Sequence, residues 1–311
     1  MMIESYSELP IWSEIPKLFP KECRINTINK PIEYFRNYND IKIHLDHYKC
    51  SESKIKIILL HGVGGNGRLL SFIAVPLHKQ GFEIVVPDLP GYGLTKVNKG
   101  VTYTDWVNSI SYLINYEKTK DTRPVILFGL SAGGMLAYHT TCMNGNVSGL
   151  IGTNFLDQRI REVRDASASN KYISRLGLPV LSLLSKVNDS IKLPMKALTN
   201  MNAIVNNKPL LTLLLEDNTS ANTRVSLKFI LSLITADYNI EPENFNICPV
   251  LMVHPGRDMW TPLKLSKLFY DRLKCNKQLI LLENAGHFPI EEASVEQLNQ
   301  AVVNYISEQN F

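Results

Sequence analysis

The sequence predicts an α/β protein in which a parallel sheet is covered by helices on both faces. Short, continuous apolar runs alternate with helical stretches, and such runs suit strands buried on both faces of a parallel sheet. The alternation stops after Phe155 and resumes at Pro249, which indicates an insertion within the domain. The chain has 311 residues, of which 45% are hydrophobic and 20% charged, so it can bury a large core.

The elements of the sheet can be assigned in order along the chain. Residues 32–48 predict two strands joined by a turn at Asn39-Asp40. Further strands are predicted at Ile55–Leu60, Ile84–Pro87, Val125–Leu130, Leu150–Asn154, Pro249–His254 and Leu279–Leu282. Helices are predicted at Leu69–Gln80, Thr104–Glu117, Ala132–Met143, Leu263–Leu273 and Val295–Glu308, and Thr104 is expected to cap the second of them. Strands and helices therefore follow one another as in repeated strand–helix–strand units.

These elements predict one core domain that carries one insertion. Residues 1–156 and 246–311 form the core, and residues 1–30 are its polar, proline-broken N-terminal extension. Residues 157–245 show no strand pattern and are predicted to be a helical insertion. Dense apolar clusters of the insertion lie at Leu178–Leu184, Leu210–Leu215 and Leu227–Ile234.

Charge and cysteine content exclude several classes of protein. The net charge of +4 is too small to indicate binding to nucleic acid or to an anionic membrane. The five cysteines are widely spaced and form no C-x-x-C motif, which argues against a disulfide framework or a zinc site. No apolar run reaches the length of a membrane span, about 18 residues, and the N-terminus lacks the order of a signal peptide. We therefore expect a soluble, cytoplasmic protein without a transmembrane segment.

The most informative motif is Gly129-Leu130-Ser131-Ala132-Gly133, which fits G-x-S-x-G between a buried strand and a helix. A nucleophile on such a sharp turn needs small neighbours, and both glycines and Ala132 are small. The helix that follows directs its free N–H groups and the positive end of its dipole toward developing negative charge. The alternative is a glycine-rich turn whose serine only caps the helix. The position between strand and helix favours Ser131 as a nucleophile.

A serine hydroxyl needs an adjacent base to take its proton, and three histidines follow Ser131 in the chain. His139 lies two turns into the next helix and is expected to point away from the turn. His254 ends a predicted strand, where packing is the commoner role. His287 lies in a loop after the last predicted strand, at the sheet edge where Ser131 is expected. The sequence therefore favours His287 as the base.

The base needs a carboxylate to orient it, and two aspartates after Ser131 are candidates. Asp258 lies in the loop after the penultimate predicted strand and precedes His287, so we favour it. Asp157 follows an earlier predicted strand, and its alternative role is to cap the first helix of the insertion. Asp88 precedes Ser131, and its Asp-Leu-Pro-Gly sequence is typical of a turn.

A tetrahedral intermediate needs N–H donors aimed at its oxyanion. One candidate is the amide of Ala132. The second is expected in the loop after Leu60, where Val63 is favoured and Gly62 is the alternative, while His61 is expected to be structural. This glycine-rich loop could instead hold a phosphate, but neither Gly-Lys-Ser/Thr nor G-x-G-x-x-G is present.

Together these motifs resemble the α/β-hydrolase superfamily, and the resemblance spans residues 32–307. The resemblance rests on His61-Gly62-Val63-Gly64-Gly65, Asp88-Leu89-Pro90-Gly91-Tyr92-Gly93, Gly129-Leu130-Ser131-Ala132-Gly133, Gly256-Arg257-Asp258 and Gly286-His287-Phe288. It implies an eight-stranded, mostly parallel sheet, a triad of Ser131, Asp258 and His287, and a helical cap formed by the insertion. The stretch from Pro249 to Asp271 is most similar to lysophospholipase- and monoacylglycerol-lipase-like esterases. A serine at the turn, where dehalogenases and epoxide hydrolases of this fold have aspartate, disfavours those two chemistries.

The predicted activity is hydrolysis of a carboxylic ester through an acyl-enzyme, as in carboxylesterases and in monoacylglycerol or lysophospholipid lipases. The apolar clusters of the insertion predict an apolar roof over the site, and hence a small-molecule acyl ester as substrate. No metal or organic cofactor is expected, because the triad supplies its own acid–base chemistry. The sequence predicts no nucleic-acid partner and leaves the oligomeric state open.

Other activities could use the same triad. Hydrolysis of a thioester, a C–C bond or an N-terminal proline peptide stays open. For a peptidase, Glu162 or Glu216-Asp217 could bind the free amine of the substrate. A cofactor-free peroxidase is a further alternative. Outside the enzymes, the chain could be a ligand-binding module that keeps a vestigial triad.

Overall fold

The computed structural model describes residues 3–98, 100–170, 192–237 and 239–311. The strands are β1 (Ile32–Tyr38), β2 (Ile41–Tyr48), β3 (Lys56–Leu60), β4 (Glu83–Pro87), β5 (Lys96–Val97), β6 (Val125–Gly129), β7 (Gly149–Gly152), β8 (Lys192–Pro194), β9 (Arg224–Ser226), β10 (Val250–Pro255) and β11 (Lys277–Leu282). The α-helices are Ser71–Lys79, Tyr103–Lys120, Ala132–Asn144, Arg161–Ser167, Met195–Leu198, Lys208–Glu216, Leu227–Ile234, Leu263–Tyr270 and Glu292–Gln309. Among the described residues, no helix combines the length and the apolar character needed to cross a membrane.

The main sheet has the strand order β1-β2-β4-β3-β6-β7-β10-β11, with β5 paired to β2. β1 and β2 form the predicted antiparallel hairpin, and Asn39 adopts a φ of 49° in its turn. β2 also pairs antiparallel with β4, whereas the strands from β4 to β11 along this order pair in parallel. The predicted eight-stranded, mostly parallel sheet is therefore confirmed.

The parallel part of the sheet determines where the chemistry-bearing loops meet. Every residue of β3, β4, β6, β7 and β10 is buried, as expected for strands with helices on both faces. The carboxyl ends of parallel strands lie at one edge. Ser131 follows β6, Asp258 follows β10 and His287 follows β11, so all three belong to loops at that edge.

The helix Tyr103–Lys120 is capped by Thr102 and not by Thr104, so the predicted cap is wrong. The hydroxyl of Thr102 accepts a hydrogen bond from the amide of Asp105 at 3.3 Å, and the Asp105 carboxylate accepts one from the amide of Thr102 at 2.8 Å. This reciprocal capping box needs an acidic or amide side chain three residues after the cap. Thr104 has Val107 at that position.

The insertion is not wholly helical, and the prediction that it contains no strand is wrong. β8 and β9 form a separate two-stranded antiparallel sheet, in which Leu193 lies opposite Val225. Each strand has only three residues, which is too short for an alternating pattern to be visible in the sequence. Two of the three apolar clusters lie in the helices Lys208–Glu216 and Leu227–Ile234, and the cluster Leu178–Leu184 lies outside the described residues.

The N-terminal extension packs into the core despite its polar sequence. It forms four short 3₁₀ helices at Tyr6–Glu8, Pro10–Ser13, Ile15–Leu18 and Lys21–Cys23. Buried side chains of the extension join the same hydrophobic core as the sheet, and these are Tyr6, Trp12, Ile15, Phe19 and Cys23. The extension is therefore a structural part of the domain.

Candidate active site

Ser131 lies at a sharp turn between β6 and the helix Ala132–Asn144. Its backbone has φ 56° and ψ −125°, a conformation that is rare for a residue with a side chain. A Cβ on Gly129 would overlap the backbone of Gly133, and a Cβ on Gly133 would overlap the carbonyl oxygen of Leu60. The glycines of the G-x-S-x-G motif are therefore required by close backbone packing around the turn.

Ser131, His287 and Asp258 form a continuous hydrogen-bonded chain. The Ser131 Oγ is 2.8 Å from Nε2 of His287, and Nδ1 of His287 is 2.8 Å from Oδ2 of Asp258. Their exposed fractions are only 4%, 1% and 5% respectively. A buried hydroxyl next to an imidazole, which is oriented by a carboxylate, is the arrangement that general-base activation of a nucleophile requires.

The Asp258 carboxylate is held from several sides. Oδ1 accepts hydrogen bonds from the amides of Trp260 at 2.9 Å and Thr261 at 2.8 Å. Oδ2 accepts from His287, from the Thr261 hydroxyl at 2.9 Å and from the Asn154 amide group at 3.2 Å. Burial raises the pKa of Asp258, but the charge and hydrogen bond of His287 and the bonds from Thr261 lower it to about 2. The ionised carboxylate fixes the tautomer of His287 that has its proton on Nδ1, so Nε2 can accept one.

Two polar residues directly after β7, Thr153 and Asn154, connect the nucleophile turn to the carboxylate. The Thr153 hydroxyl accepts from the amide of Ser131 at 3.0 Å and donates to Oδ1 of Asn154 at 2.8 Å. The Asn154 amide group then reaches Asp258 and Nε2 of His254, each at 3.2 Å. Sequence reasoning missed both residues. The available signal was their position at the end of a buried strand, at the same sheet edge as Ser131.

The other two histidines after Ser131 have different partners. His254 is fully buried, and its Nδ1 donates to the carbonyl oxygen of Pro255 at 2.9 Å, which fits the packing role weighed for it. Burial also lowers the pKa of His254. The Nδ1 of His139 is 2.9 Å from the Tyr103 hydroxyl, and burial lowers the pKa of His139 to about 4. His139 lines the same cavity as Ser131, but the imidazole that contacts the Ser131 hydroxyl is that of His287.

Asp157, the competing acid, is paired with arginines and not with His287. Its Oδ1 is 3.3 Å from Nε of Arg159, and its Oδ2 is 3.9 Å from Nη1 of Arg272. The amide of Arg159 also donates to Oδ1 at 2.9 Å, which makes Asp157 the start of a turn before the helix Arg161–Ser167. Its interactions therefore stabilise the entry into the insertion.

The glycine-rich loop after β3 lies directly against the nucleophile turn. A Cβ on Gly62 would be 3.0 Å from the amide nitrogen of Ala132 and 3.0 Å from Cβ of Ser131. Val63, Ser131 and Ala132 line the same cavity. The structure thus brings Gly62, Val63 and Ala132 next to the Ser131 side chain.

His61 holds this loop in place, as expected. Its Nδ1 donates to the carbonyl oxygen of Gly62 at 2.8 Å, and its Nε2 accepts from the amide of Leu89 at 3.0 Å. Burial lowers the pKa of His61 to about 4, so the ring is neutral and can make both bonds at once. The loop that carries Val63 is thereby tied to the chain that follows β4.

A cavity of about 390 Å³ lies over Ser131, within the range of small-molecule sites, roughly 300–1,000 Å³. Its described walls are mainly apolar, and the charged residues among them are Asp157 and Arg164. The larger apolar side chains that the insertion contributes to the walls are Leu193, Met195, Leu198, Ile230, Leu233 and Ile234. An apolar ligand would therefore find complementary surface next to the nucleophile.

One group of potential metal ligands occurs among the described residues, formed by Glu33, His44 and Asp46. The Arg68 guanidinium already bridges it, with Nη2 at 3.0 Å from Glu33 and Nε at 2.6 Å from Asp46. None of these side chains lines the cavity over Ser131. The carboxylates of Glu33 and Asp46 thus have the Arg68 guanidinium as their partner.

Comparison with solved structures shows proteins of the same fold at low sequence identity. A soluble variant of monoglyceride lipase from Saccharomyces cerevisiae, in complex with a substrate analog, has a TM-score of 0.74 and 18% identity, covering 93% of this chain and 99% of its own. The monoacylglycerol lipase of Paleococcus ferrophilus has a TM-score of 0.67 and 19% identity, and the match covers 86% of this chain and 99% of the lipase chain. Est1E from Butyrivibrio proteoclasticus, with bound ferulic acid, has a TM-score of 0.63 and 16% identity, and the match covers 89% of this chain and 98% of the Est1E chain. At these identities the similarity establishes the fold alone.

Sequence comparison adds the family. No curated protein matches the chain significantly. The profile of the family Hydrolase_4, described as serine aminopeptidase, S33, matches residues 51–294. This range includes the glycine-rich loop, the nucleophile turn, the loop of Asp258 and His287, and it is more than half of the chain. The chain therefore belongs to the Hydrolase_4 family of the α/β-hydrolase superfamily.

Proposed function

We propose that this protein is a serine hydrolase that cleaves carboxylic esters with apolar acyl groups through an acyl-enzyme intermediate. The observation that carries the proposal is the hydrogen-bonded chain of Ser131, His287 and Asp258, whose serine lines an apolar cavity. The names of two similar structures, a monoglyceride lipase and a monoacylglycerol lipase, agree with this reaction class. The specific assignment to a carboxylesterase or to a monoacylglycerol or lysophospholipid lipase rests on this site and its cavity.

The reaction proceeds in two transfers of the acyl group. Nε2 of His287 takes the proton of the Ser131 hydroxyl while Oγ attacks the ester carbonyl carbon. The imidazolium, stabilised by Asp258, then protonates the leaving alkoxide as the C–O bond breaks. In the second half, His287 takes a proton from water, the hydroxide attacks the acyl carbon, and the Ser131 oxygen leaves with that proton.

The negative charge on the carbonyl oxygen is stabilised by backbone amides. We assign the amides of Val63 and Ala132 to this oxyanion hole, with Gly62 as the alternative donor. Within the described part of the chain, the amides of Val63 and Ala132 donate no hydrogen bond to another protein group, and both residues line the cavity. Removing one such donor in enzymes of this type costs about 10²–10³-fold in kcat, so the contribution of each amide is large.

The cavity favours acyl esters over charged small substrates. Its described walls offer aliphatic and aromatic surface, and each buried CH₂ of a ligand is worth about 0.8 kcal/mol. A longer acyl chain should therefore bind more strongly until the volume of about 390 Å³ is filled.

An aminopeptidase activity, which the family description names, is less well supported. A free amine in a buried site needs a carboxylate partner. Asp157 is the only carboxylate among the described lining residues, and it already pairs with Arg159 and Arg272. The acidic residues considered for this role from the sequence do not line the cavity, and these are Glu162, Glu216 and Asp217.

A substrate panel tests the proposal. The purified protein and its Ser131→Ala variant are assayed with p-nitrophenyl esters from acetate to decanoate, an acyl thioester and prolyl-p-nitroanilide. We expect kcat/KM to rise from acetate to a medium-chain ester, and we expect Ser131→Ala to lose activity by several orders of magnitude. Faster turnover of the anilide than of every ester, or no rise beyond acetate, contradicts the proposed substrate class. Near-full ester hydrolysis by Ser131→Ala contradicts the mechanism.

A further inference from the structure

The N-terminal extension touches the surroundings of the candidate site through two aromatic side chains. The Tyr6 hydroxyl is 2.9 Å from each carboxylate oxygen of Asp88, and Tyr6 is only 1% exposed. The Trp12 ring packs edge-on against Tyr6 at 4.9 Å, and its Nε1 donates to the hydroxyl of Thr219 at 3.3 Å. Asp88 belongs to the core and Thr219 to the insertion, so the extension bridges the two.

Asp88 is a fully enclosed carboxylate with several donors. Besides Tyr6, it accepts hydrogen bonds from the amide of Gly67 at 2.6 Å and the amide of Leu94 at 2.8 Å, and Nδ1 of His44 lies 2.9 Å away. Burial raises the pKa of Asp88, but the charge and hydrogen bond of His44 and the amide of Leu94 lower it overall. A buried carboxylate is stabilised by such donors. The loss of one donor is therefore expected to shift the Asp88 carboxylate or the groups that contact it.

The bond from Gly67 to Asp88 fixes the far end of the glycine-rich loop. This loop starts at His61, whose ring accepts the amide of Leu89, the residue after Asp88. Both ends of the loop are therefore attached to the chain at Asp88-Leu89, and Val63 lies between them. The Asp88 carboxylate thus anchors one end of the loop that carries Val63.

Thr219 is the point at which the insertion meets this loop. Its hydroxyl accepts from the side-chain amide of Asn66 at 3.0 Å as well as from Trp12, and it donates to Asp217 at 2.8 Å. Its carbonyl oxygen accepts from the amide of Gly93 at 2.9 Å. The extension, the glycine-rich loop and the insertion therefore share one hydrogen-bonded residue.

We propose that Tyr6 and Trp12 are positioning residues of the candidate active site, which fix the loop carrying Val63 against the nucleophile turn and the insertion. This inference rests on the proposed function for its catalytic consequence. No residue of the extension is among the described lining of the cavity. Their loss should therefore weaken stabilisation of the transition state and lower kcat, while KM for a small ester stays nearly unchanged.

The first test compares Tyr6→Phe with Tyr305→Phe. Both remove one hydroxyl from a tyrosine that is 1% exposed, and the Tyr305 hydroxyl donates to the carbonyl of Pro249 at 2.8 Å, at the opposite edge of the sheet. Thermal unfolding is expected to show a comparable loss of Tm in both. With p-nitrophenyl butyrate, we expect kcat to fall about tenfold in Tyr6→Phe and KM to stay within about twofold. Tyr305→Phe should keep the parent kcat. Equal kcat in the two variants at similar Tm overturns the proposal.

The second test reads the loop without relying on activity. Hydrogen–deuterium exchange of residues 62–68 should be faster in Tyr6→Phe and in Trp12→Phe than in the parent and in Tyr305→Phe. If Tyr6→Phe fails to fold, the exchange of residues 62–68 in Trp12→Phe tests the proposal instead. That variant keeps an aromatic ring but loses the bond to Thr219. Unchanged exchange of this segment in the folded variants overturns the proposal. A parent protein that hydrolyses no ester, yet shows this exchange pattern, refutes the proposed function and leaves the positioning role supported.

Discussion

Replacing Asp258 by asparagine should inactivate the protein while changing its shape very little. Oδ1 of Asp258 faces the amides of Trp260 and Thr261, so the asparagine oxygen must take that place. Its NH₂ group then replaces Oδ2 and points at Nδ1 of His287. Because an NH₂ group donates a hydrogen bond, Nδ1 must lose its proton and accept. The imidazole is forced into the tautomer with its proton on Nε2, which cannot accept the Ser131 proton. In triads of this kind the wrong tautomer lowers kcat by about 10⁴-fold, or about 5.5 kcal/mol.

The assay is steady-state hydrolysis of p-nitrophenyl butyrate at pH 8, with Tm measured in parallel. Asp157→Asn is the matched control, because Asp157 follows a neighbouring strand and its carboxylate contacts Arg159 and Arg272. We expect it to change kcat by less than about tenfold. Retention of kcat within tenfold in Asp258→Asn, or an equal loss of kcat in the two variants, would refute the assignment of Asp258 as the orienting carboxylate.

Further predictions concern the turn, the buried ion pairs and the cavity. Gly133→Ala should lower the free energy of unfolding by about 3 kcal/mol in urea titrations, because its Cβ overlaps a backbone oxygen, and a loss below about 1 kcal/mol would contradict this packing. Burial lowers the pKa of His44, but the charge of Asp88 and hydrogen bonds to Asp88 and Glu33 raise it from 6.5 to about 10. Its ion pairs therefore stabilise the fold fully below pH 6.5 and are lost as the pH rises through 10. The Tm difference between the parent and His44→Gln should accordingly shrink from pH 6 to pH 10. A constant or growing difference would contradict a stabilising role of the His44 ion pairs. Leu198→Trp, which fills part of the cavity, should reduce kcat/KM for p-nitrophenyl decanoate about tenfold more than for p-nitrophenyl acetate. An equal reduction for both esters would contradict binding of the acyl chain in this cavity.

Much of the fold could be predicted because its strands are short, continuous apolar runs separated by turn residues. The runs that became β3, β6 and β10 are buried on both faces, and this burial makes them easy to recognise. β8 and β9 could not be predicted, because three residues carry no periodicity and their pairing depends on tertiary packing.

The three candidate catalytic side chains could be singled out because each follows a recognisable strand at one sheet edge. Ser131 also has a motif whose glycines are required by backbone contacts. Thr153 and Asn154 have only their position at the end of a strand as a signal, and this signal is weak because polar residues there are common and their partners are distant in sequence. The bond between Tyr6 and Asp88 joins residues 82 positions apart, and no local pattern predicts it.

The most direct measurement is the reaction of the protein with a fluorophosphonate, followed by intact mass and peptide mapping. The reagent phosphonylates a serine only when a neighbouring base activates it, so it reports on the bond between Ser131 and His287 without assuming a substrate. We predict a single adduct on Ser131 and labelling slowed by orders of magnitude in His287→Gln. The absence of an adduct, an adduct on another residue, or equal labelling rates in the two proteins would contradict an activated Ser131.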